Sequence, residues 1–138
     1  MAETTEFVRQ AAALPIRYGK ICLVTSSNGK RWIIPKGLID PGQSAGEAAL
    51  QEAWEEAGLV GALQKEPIGS YLYEKLGRTY HVTVFLMRVT EVANDWPERD
   101  LRQRIWTDAA GVLERIEDAG LADVLRLTFS KDEAFEPA

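Results

Sequence analysis

The segment from Gly37 to Gly58 constrains the chain more than any other, because both ends of a helix are written into it. Asp40-Pro41-Gly42 is turn chemistry. Ser44 followed three residues later by Glu47 is a capping box, in which hydroxyl and carboxylate satisfy N–H groups that a first helical turn leaves without partners. Gly58 supplies a left-handed stop. Between them Leu50, Ala53 and Ala57 recur at helical spacing and form a stripe to bury.

Around this helix the sequence reads as strands. Ile21–Thr25 and Trp32–Ile34 are β-rich runs flanking Ser26-Ser27-Asn28-Gly29-Lys30, and Asn-Gly between apolar runs predicts a hairpin with φ > 0 at both central residues. Pro35-Lys36-Gly37 ends the second run. Ile68–Tyr73 and Thr79–Val92 read as strands joined across Leu76-Gly77-Arg78, and Arg104-Ile105-Trp106 as a short one. Thr107 is placed to cap a helix from Asp108 to about Glu117. A last amphipathic helix near Leu121–Phe129 carries Leu121, Val124, Leu125 and Phe129 on one face. Strands interleaved with two or three helices predict an α/β sandwich rather than a bundle.

The first helix also carries charge. Glu52, Glu55 and Glu56 stand at i, i+3 and i+4, so their carboxylates project from one side, and no lysine at i±4 relieves their repulsion. Such a cluster is either a solvated acidic face or a site for a hard divalent cation. The charge pattern around it is segregated. Pro15–Lys36 holds five bases and no acid, and Gly37–Gln64 holds five acids and no base. Bases return at Lys75, Arg78, Arg88, Arg102 and Arg104, where they either line an anionic ligand or serve solubility. The net charge of −5 argues against a general nucleic-acid coat protein and, taken alone, against a polyphosphate substrate.

Gly37 through Leu59 resembles the Nudix box, G-x5-E-x7-R-E-U-x-E-E-x-G-U, where U is a bulky aliphatic residue. Gly37, Glu52, Glu55, Glu56 and Gly58 fill five of its seven fixed positions, Leu59 fits the last aliphatic one and Ala53 is a small stand-in at the other. Arg31-Trp-Ile-Ile-Pro-Lys-Gly37 and the later strands extend the likeness over most of the chain. Two positions depart: Gln43 replaces the loop Glu and Gln51 the helix Arg, a charge pair that in the family braces loop against helix. Losing both partners leaves no unpaired charge, and a neutral hydrogen bond between the two amides is expected in its place.

The resemblance implies an α/β (α+β) fold, a Nudix-type α/β/α sandwich with a mixed central sheet and the box as loop–helix–loop. It is read as a single domain over residues 1–138, with about 1–5 and 131–138 as loose termini. It implies hydrolysis of a diphosphate bond by water attack at phosphorus, with Mg²⁺ or Mn²⁺ neutralising charge and lowering the pKa of the water. Glu52 and Glu56 are the expected direct ligands, Glu55 a ligand or water-positioning residue, and the Lys36 carbonyl a further ligand. The general base is a box Glu or a downstream acid.

Within the family the chain is most similar to the diphosphoinositol polyphosphate and diadenosine polyphosphate phosphohydrolases, through Leu23–Ser27, Arg31–Pro35, Arg78-Thr-Tyr80, Val89–Val92, Asp95-Trp96 and Arg102–Trp106. That likeness makes Arg78, Arg102, Ser27, Lys36, Gly37 and Arg31 candidate substrate-binding residues, with structural pairing an equal reading for Arg31 and Arg104. Lys36-Gly37 stands where that group has a glycine run, Gln10 where it has a base, and Gly77 where a polar residue precedes Arg-Thr-Tyr. No proline lies near Leu72–Lys75, where the ADP-ribose hydrolases carry one. The expected partner is a small polyphosphate; 5′-capped RNA is an alternative substrate, and a catalytically weak nucleotide-binding regulator an alternative function.

At 138 residues and 46% hydrophobic content the chain is long enough for a self-sufficient core. Cys22 alone makes no internal disulfide, and Met1–Arg9 lacks the apolar region of a secretory signal, so a cytoplasmic location is expected. No apolar run approaches membrane-spanning length. Cys22 reads as a buried thiol, His81 as a packed or outward strand residue, the tryptophans as packing, and Tyr71, Tyr73 and Tyr80 as sheet residues or base-stacking ones.

Overall fold

A computed structural model describes residues 6–131. Eight strands and three helices follow in the order β1 (Val8–Arg17), β2 (Lys20–Thr25), β3 (Trp32–Ile33), β4 (Lys36–Leu38), α1 (Ala45–Ala57), β5 (Leu59–Leu63), β6 (Gly69–Lys75), β7 (Arg78–Val92), β8 (Arg104–Thr107), α2 (Ala109–Arg115) and α3 (Ala119–Lys131). A short 3₁₀ turn at Arg99–Leu101 precedes β8. The mixed α/β architecture is the one expected.

The sheet is mixed because β1 runs parallel to β7 over nine paired residues, while every other pairing is antiparallel. Successive β1 side chains point to opposite faces. Ala11 and Ala13 enter a core with Ala48, Ala49, Ala53 and Ala57 of α1. Ala12, Leu14 and Ile16 enter a second core with Val112 of α2 and Leu121 and Leu125 of α3. Helices therefore cover both faces of the sheet. The small residues where α1 meets β1 let the acidic helix lie close to the sheet. Cys22 is fully buried, and burial pushes its thiol up to about 12.

Several boundaries differ from the sequence reading. Lys36 and Gly37 do not end a strand; they begin β4, which pairs with β1 at Ala11 and Ala12. Between β2 and β3 only Gly29 has positive φ, so the Asn-Gly pair is not a two-residue hairpin turn. Instead the Ser26 hydroxyl donates to Asn28 Oδ1 (2.7 Å) and accepts from the Arg31 N–H (3.2 Å), which organises a longer loop. The α2 cap is Asp108 rather than Thr107, because the Asp108 carboxylate accepts from the Gly111 N–H at 2.8 Å. Lys131 is the last residue of α3, not part of a loose end; residues 1–5 and 132–138 lie outside the described residues. No helix is long and apolar enough to cross a membrane among the described residues.

Candidate active site

Helix α1 is fixed at both ends. Ser44 and Glu47 form the full capping box, each side chain bonding the other's backbone N–H at 3.1 Å. Gly58 turns left-handed (φ 68°), and its N–H returns to the Trp54 carbonyl at 2.9 Å. The three carbonyls beyond, which a helix end leaves orphaned, all find donors on the 93–104 segment. The Glu98 N–H bonds Glu55 O (3.0 Å), Trp96 Nε1 bonds Glu56 O (3.0 Å) and Arg104 Nη1 bonds Ala57 O (2.7 Å). The Arg104 guanidinium also stacks on the Trp96 ring at 4.1 Å, placing a cation at the negative end of the helix. Arg104 thus serves a structural role, bonding the Ala57 and Ala93 carbonyls and covering Trp96.

This docking brings Glu98 beside the box carboxylates. Glu56, only 4% exposed, accepts from the Lys36 N–H through Oε2 (3.2 Å) and from Arg102 Nη2 through Oε1 (3.3 Å). Arg102 also binds Glu98 Oε1 at 2.8 Å and the Thr25 carbonyl at 2.9 Å, with its side chain 9% exposed. Its guanidinium is therefore engaged on every nitrogen by protein groups. Glu52 makes no side-chain hydrogen bond among the described residues; its carboxylate lies where a Cβ on Gly37 would sit, so only glycine leaves room for it.

Burial, then the neighbouring carboxylates, pushes the Glu52 carboxyl up to about 7. The Glu56 carboxyl is pushed up to about 8, chiefly by burial, with Arg102 opposing and Glu52 adding to the rise. Two acids one turn apart that resist ionisation are what a divalent cation would relieve. Among the described residues no three Asp, Glu, His or Cys side chains form a closed ligand set. A hard cation such as Mg²⁺ does not require one, since it keeps several waters and takes one or two carboxylates with substrate phosphates. The all-oxygen donor set fits such an ion.

The amides of Gln43 and Gln51 meet as expected for a neutral replacement of a charge pair. Gln43 Oε1 accepts from the Asp40 N–H (3.1 Å), Gln43 Nε2 donates to Gln51 Oε1 (2.6 Å), and Gln51 Nε2 donates to Glu55 Oε1 (2.9 Å). Each amide thereby has one defined orientation, and the chain of bonds ends on Glu55.

A cleft opens beside Glu56, bordered by Ser26, Ser27, Arg31, Lys36, Tyr73 and Arg102 on the strand side. The α2–α3 connection, with Glu117 and Asp118, also lines it. Lys36 Nζ donates to the Tyr73 hydroxyl (3.3 Å), which donates to Gln10 Oε1 (2.7 Å). Burial lowers the Lys36 ammonium from its usual range, with Glu56 working against that shift. Ser27, Arg31, Lys36 and Arg102 of the sequence candidates thus share one cleft with Glu56. Arg78 is exposed at the β6–β7 turn and is not among the residues lining it. Tyr73 and Tyr80 stack on each other at 4.7 Å, and His81 stacks on Phe7. Tyr71 and Tyr73, read from sequence as sheet or base-stacking residues, line the cleft; Glu98, Glu117 and Asp118 come to the site through tertiary pairing and match no local motif.

The NUDIX domain model matches residues 7–127. The chain is 32% identical over 108 residues to Nudix hydrolase 17, mitochondrial, of Arabidopsis thaliana, covering 77% of this chain and 59% of that protein. It is 34% identical over 117 residues to diphosphoinositol polyphosphate phosphohydrolase 2 of Mus musculus, covering 78% and 64%. The chain therefore spans less than two thirds of these relatives' lengths. In three dimensions it resembles the crystal structure of C. elegans Ap4A hydrolase, with a TM-score of 0.75 at 20% identity over 91% of this chain and 98% of that one.

Proposed function

The chain belongs to the Nudix family, and on that premise we propose that it is a metal-dependent pyrophosphohydrolase. The observation that carries this reading is the pair Glu52 and Glu56 on one helix turn, Glu52 set against Gly37 and Glu56 lining a cleft with basic residues. Glu52, unengaged and aimed at Gly37, and Glu56 would hold Mg²⁺ or Mn²⁺, with Glu55 and the Lys36 carbonyl as further ligand candidates. When bound, such an ion neutralises diphosphate charge and lowers the pKa of the attacking water. Arg102 keeps Glu56 oriented, and Lys36 and Arg31 offer charge to the phosphates. Water attacks one phosphorus, the bridging P–O bond breaks, and the leaving phosphate departs with the electron pair.

The substrate class is a dinucleoside polyphosphate, a diphosphoinositol polyphosphate or another nucleoside diphosphate derivative, the first two being named in the relatives above. The single buried thiol suits a reducing, cytoplasmic setting. The test is metal-dependent phosphate release from a panel of these compounds, ADP-ribose and 5′-capped RNA. Glu56→Gln is expected to lower kcat about a hundredfold or more without unfolding the chain, because the lost interaction stabilises charge developing at phosphorus. Near wild-type turnover in that variant overturns the assignment; ligand binding with no turnover by the native chain favours a regulator.

A further inference from the structure

The cleft is lined by both signs of charge, and its cations are fewer than its basic residues suggest. Arg102 is wholly engaged by Glu56, Glu98 and the Thr25 carbonyl. Gln10, reaching the cleft through Tyr73, is neutral and already accepts a hydrogen bond. Arg78 lies outside. That leaves Arg31, Lys36 and Lys75, none of them in a side-chain ion pair among the described residues. The same cleft is lined by the α2–α3 connection, where Glu117 is exposed and Asp118 caps α3 by accepting the Leu121 N–H at 3.0 Å.

From this layout we propose that Glu117 and Asp118 form a specificity wall that selects a nucleoside-bearing polyphosphate and rejects a cyclitol phosphorylated around its whole ring. A nucleoside end carries no charge, and its ribose hydroxyls and base amine are donors that carboxylates accept. A fully phosphorylated ring presents anionic groups in every direction, so whichever edge faces the metal carboxylates, another faces Glu117 and Asp118. Like-charge juxtaposition of that kind discriminates by repulsion rather than by added contact. The inference rests on the hydrolase reading above for its kinetic half only.

The experiment uses the full chain. With Mg²⁺ present, kcat/KM is measured for diadenosine tetraphosphate and for diphosphoinositol pentakisphosphate; without metal, affinities for ADP and for inositol hexakisphosphate are measured by calorimetry. Native protein is expected to prefer the nucleotide in both comparisons. Glu117→Gln/Asp118→Asn, in which Asn still caps α3, and the surface change Glu117→Lys alone should each narrow the ratio about fivefold, the effect of about one removed near-surface repulsion. A native preference for the phosphorylated cyclitol, or ratios that stay fixed in both folded variants, overturns the proposal. If neither compound is hydrolysed by the native chain, the hydrolase reading fails, and the binding ratios alone decide the wall.

Discussion

Two braces of α1 rest on different physics. On its exposed side, the Asp40–Gln43–Gln51–Glu55 sequence of hydrogen bonds is neutral until its last member and lies open to water. At its end, Arg102 joins Glu56 to Glu98 in a mostly buried charged cluster, and Trp96 and Arg104 hold the terminal carbonyls. Exposed neutral hydrogen bonds compete with water and contribute little net stability. A buried ion pair costs desolvation to assemble but is expensive to break from one side. The comparison teaches that Glu56 is held rigidly by the fold, whereas Glu55 is oriented by contacts that add little to stability.

Removing the charged brace should have the largest effect. Arg102→Met leaves Glu56 and Glu98 facing each other without their cation, for a loss of about 3 kcal/mol, or roughly 10 °C in Tm for a domain of this size. Thermal melts of the two proteins at pH 8 check it; an unchanged Tm would show that the two braces are equally weak.

Next in size is a pH effect. Glu52 and Glu56 titrate at about 7 and about 8 in the fold against an ordinary 4.5, so the folded chain binds more protons than the unfolded one between those values. The stability contributed by these groups is fully present below about pH 4.5 and is lost as pH rises through 7 and 8. Melts of metal-free protein should therefore fall in Tm over that window, and added Mg²⁺ should raise Tm more at pH 8 than at pH 5. A flat profile for this pair contradicts the burial argument.

The smallest effect belongs to the neutral brace. Gln51→Ala should cost no more than about 0.5 kcal/mol in chemical denaturation, as an exposed polar contact. Its turnover should fall by less than that of Glu56→Gln. A Gln43→Glu/Gln51→Arg double variant, analysed as a mutant cycle, should recover coupling of about 0.2–1 kcal/mol, as an exposed ion pair.

The helix and its carboxylates were legible because their signals are local. The capping box, the αL glycine and the i, i+3, i+4 spacing all lie within 15 residues, Ser44 to Gly58. Strand β1 was not. Its Ala-Ala-Ala-Leu-Pro-Ile core lacks β-branched residues before Ile16 and is buried on both faces, so it shows neither high β-propensity nor polar alternation. Strand β5 was missed for a related reason: Gly61 sits at a register shift, pressed against the Arg88 carbonyl, where only a residue without Cβ fits. Within the site, Glu98 and the Glu117–Asp118 wall escaped notice because sequence spacing carries no information about which loops converge.

The parallel pairing at the centre of the sheet has a consequence for how the molecule assembles. Val8 lies against Tyr80 and Ile16 against Arg88, each pair 72 positions apart along the chain. Neither core can close until that long loop has been drawn in, which places this chain among topologies where non-local pairing limits the folding rate. Helix α1 falls inside the loop, and the stripe it buries is mostly alanine, a weak anchor on its own. During synthesis α1 can therefore meet β1, which precedes it, but the sheet face it covers is completed only when β7 arrives.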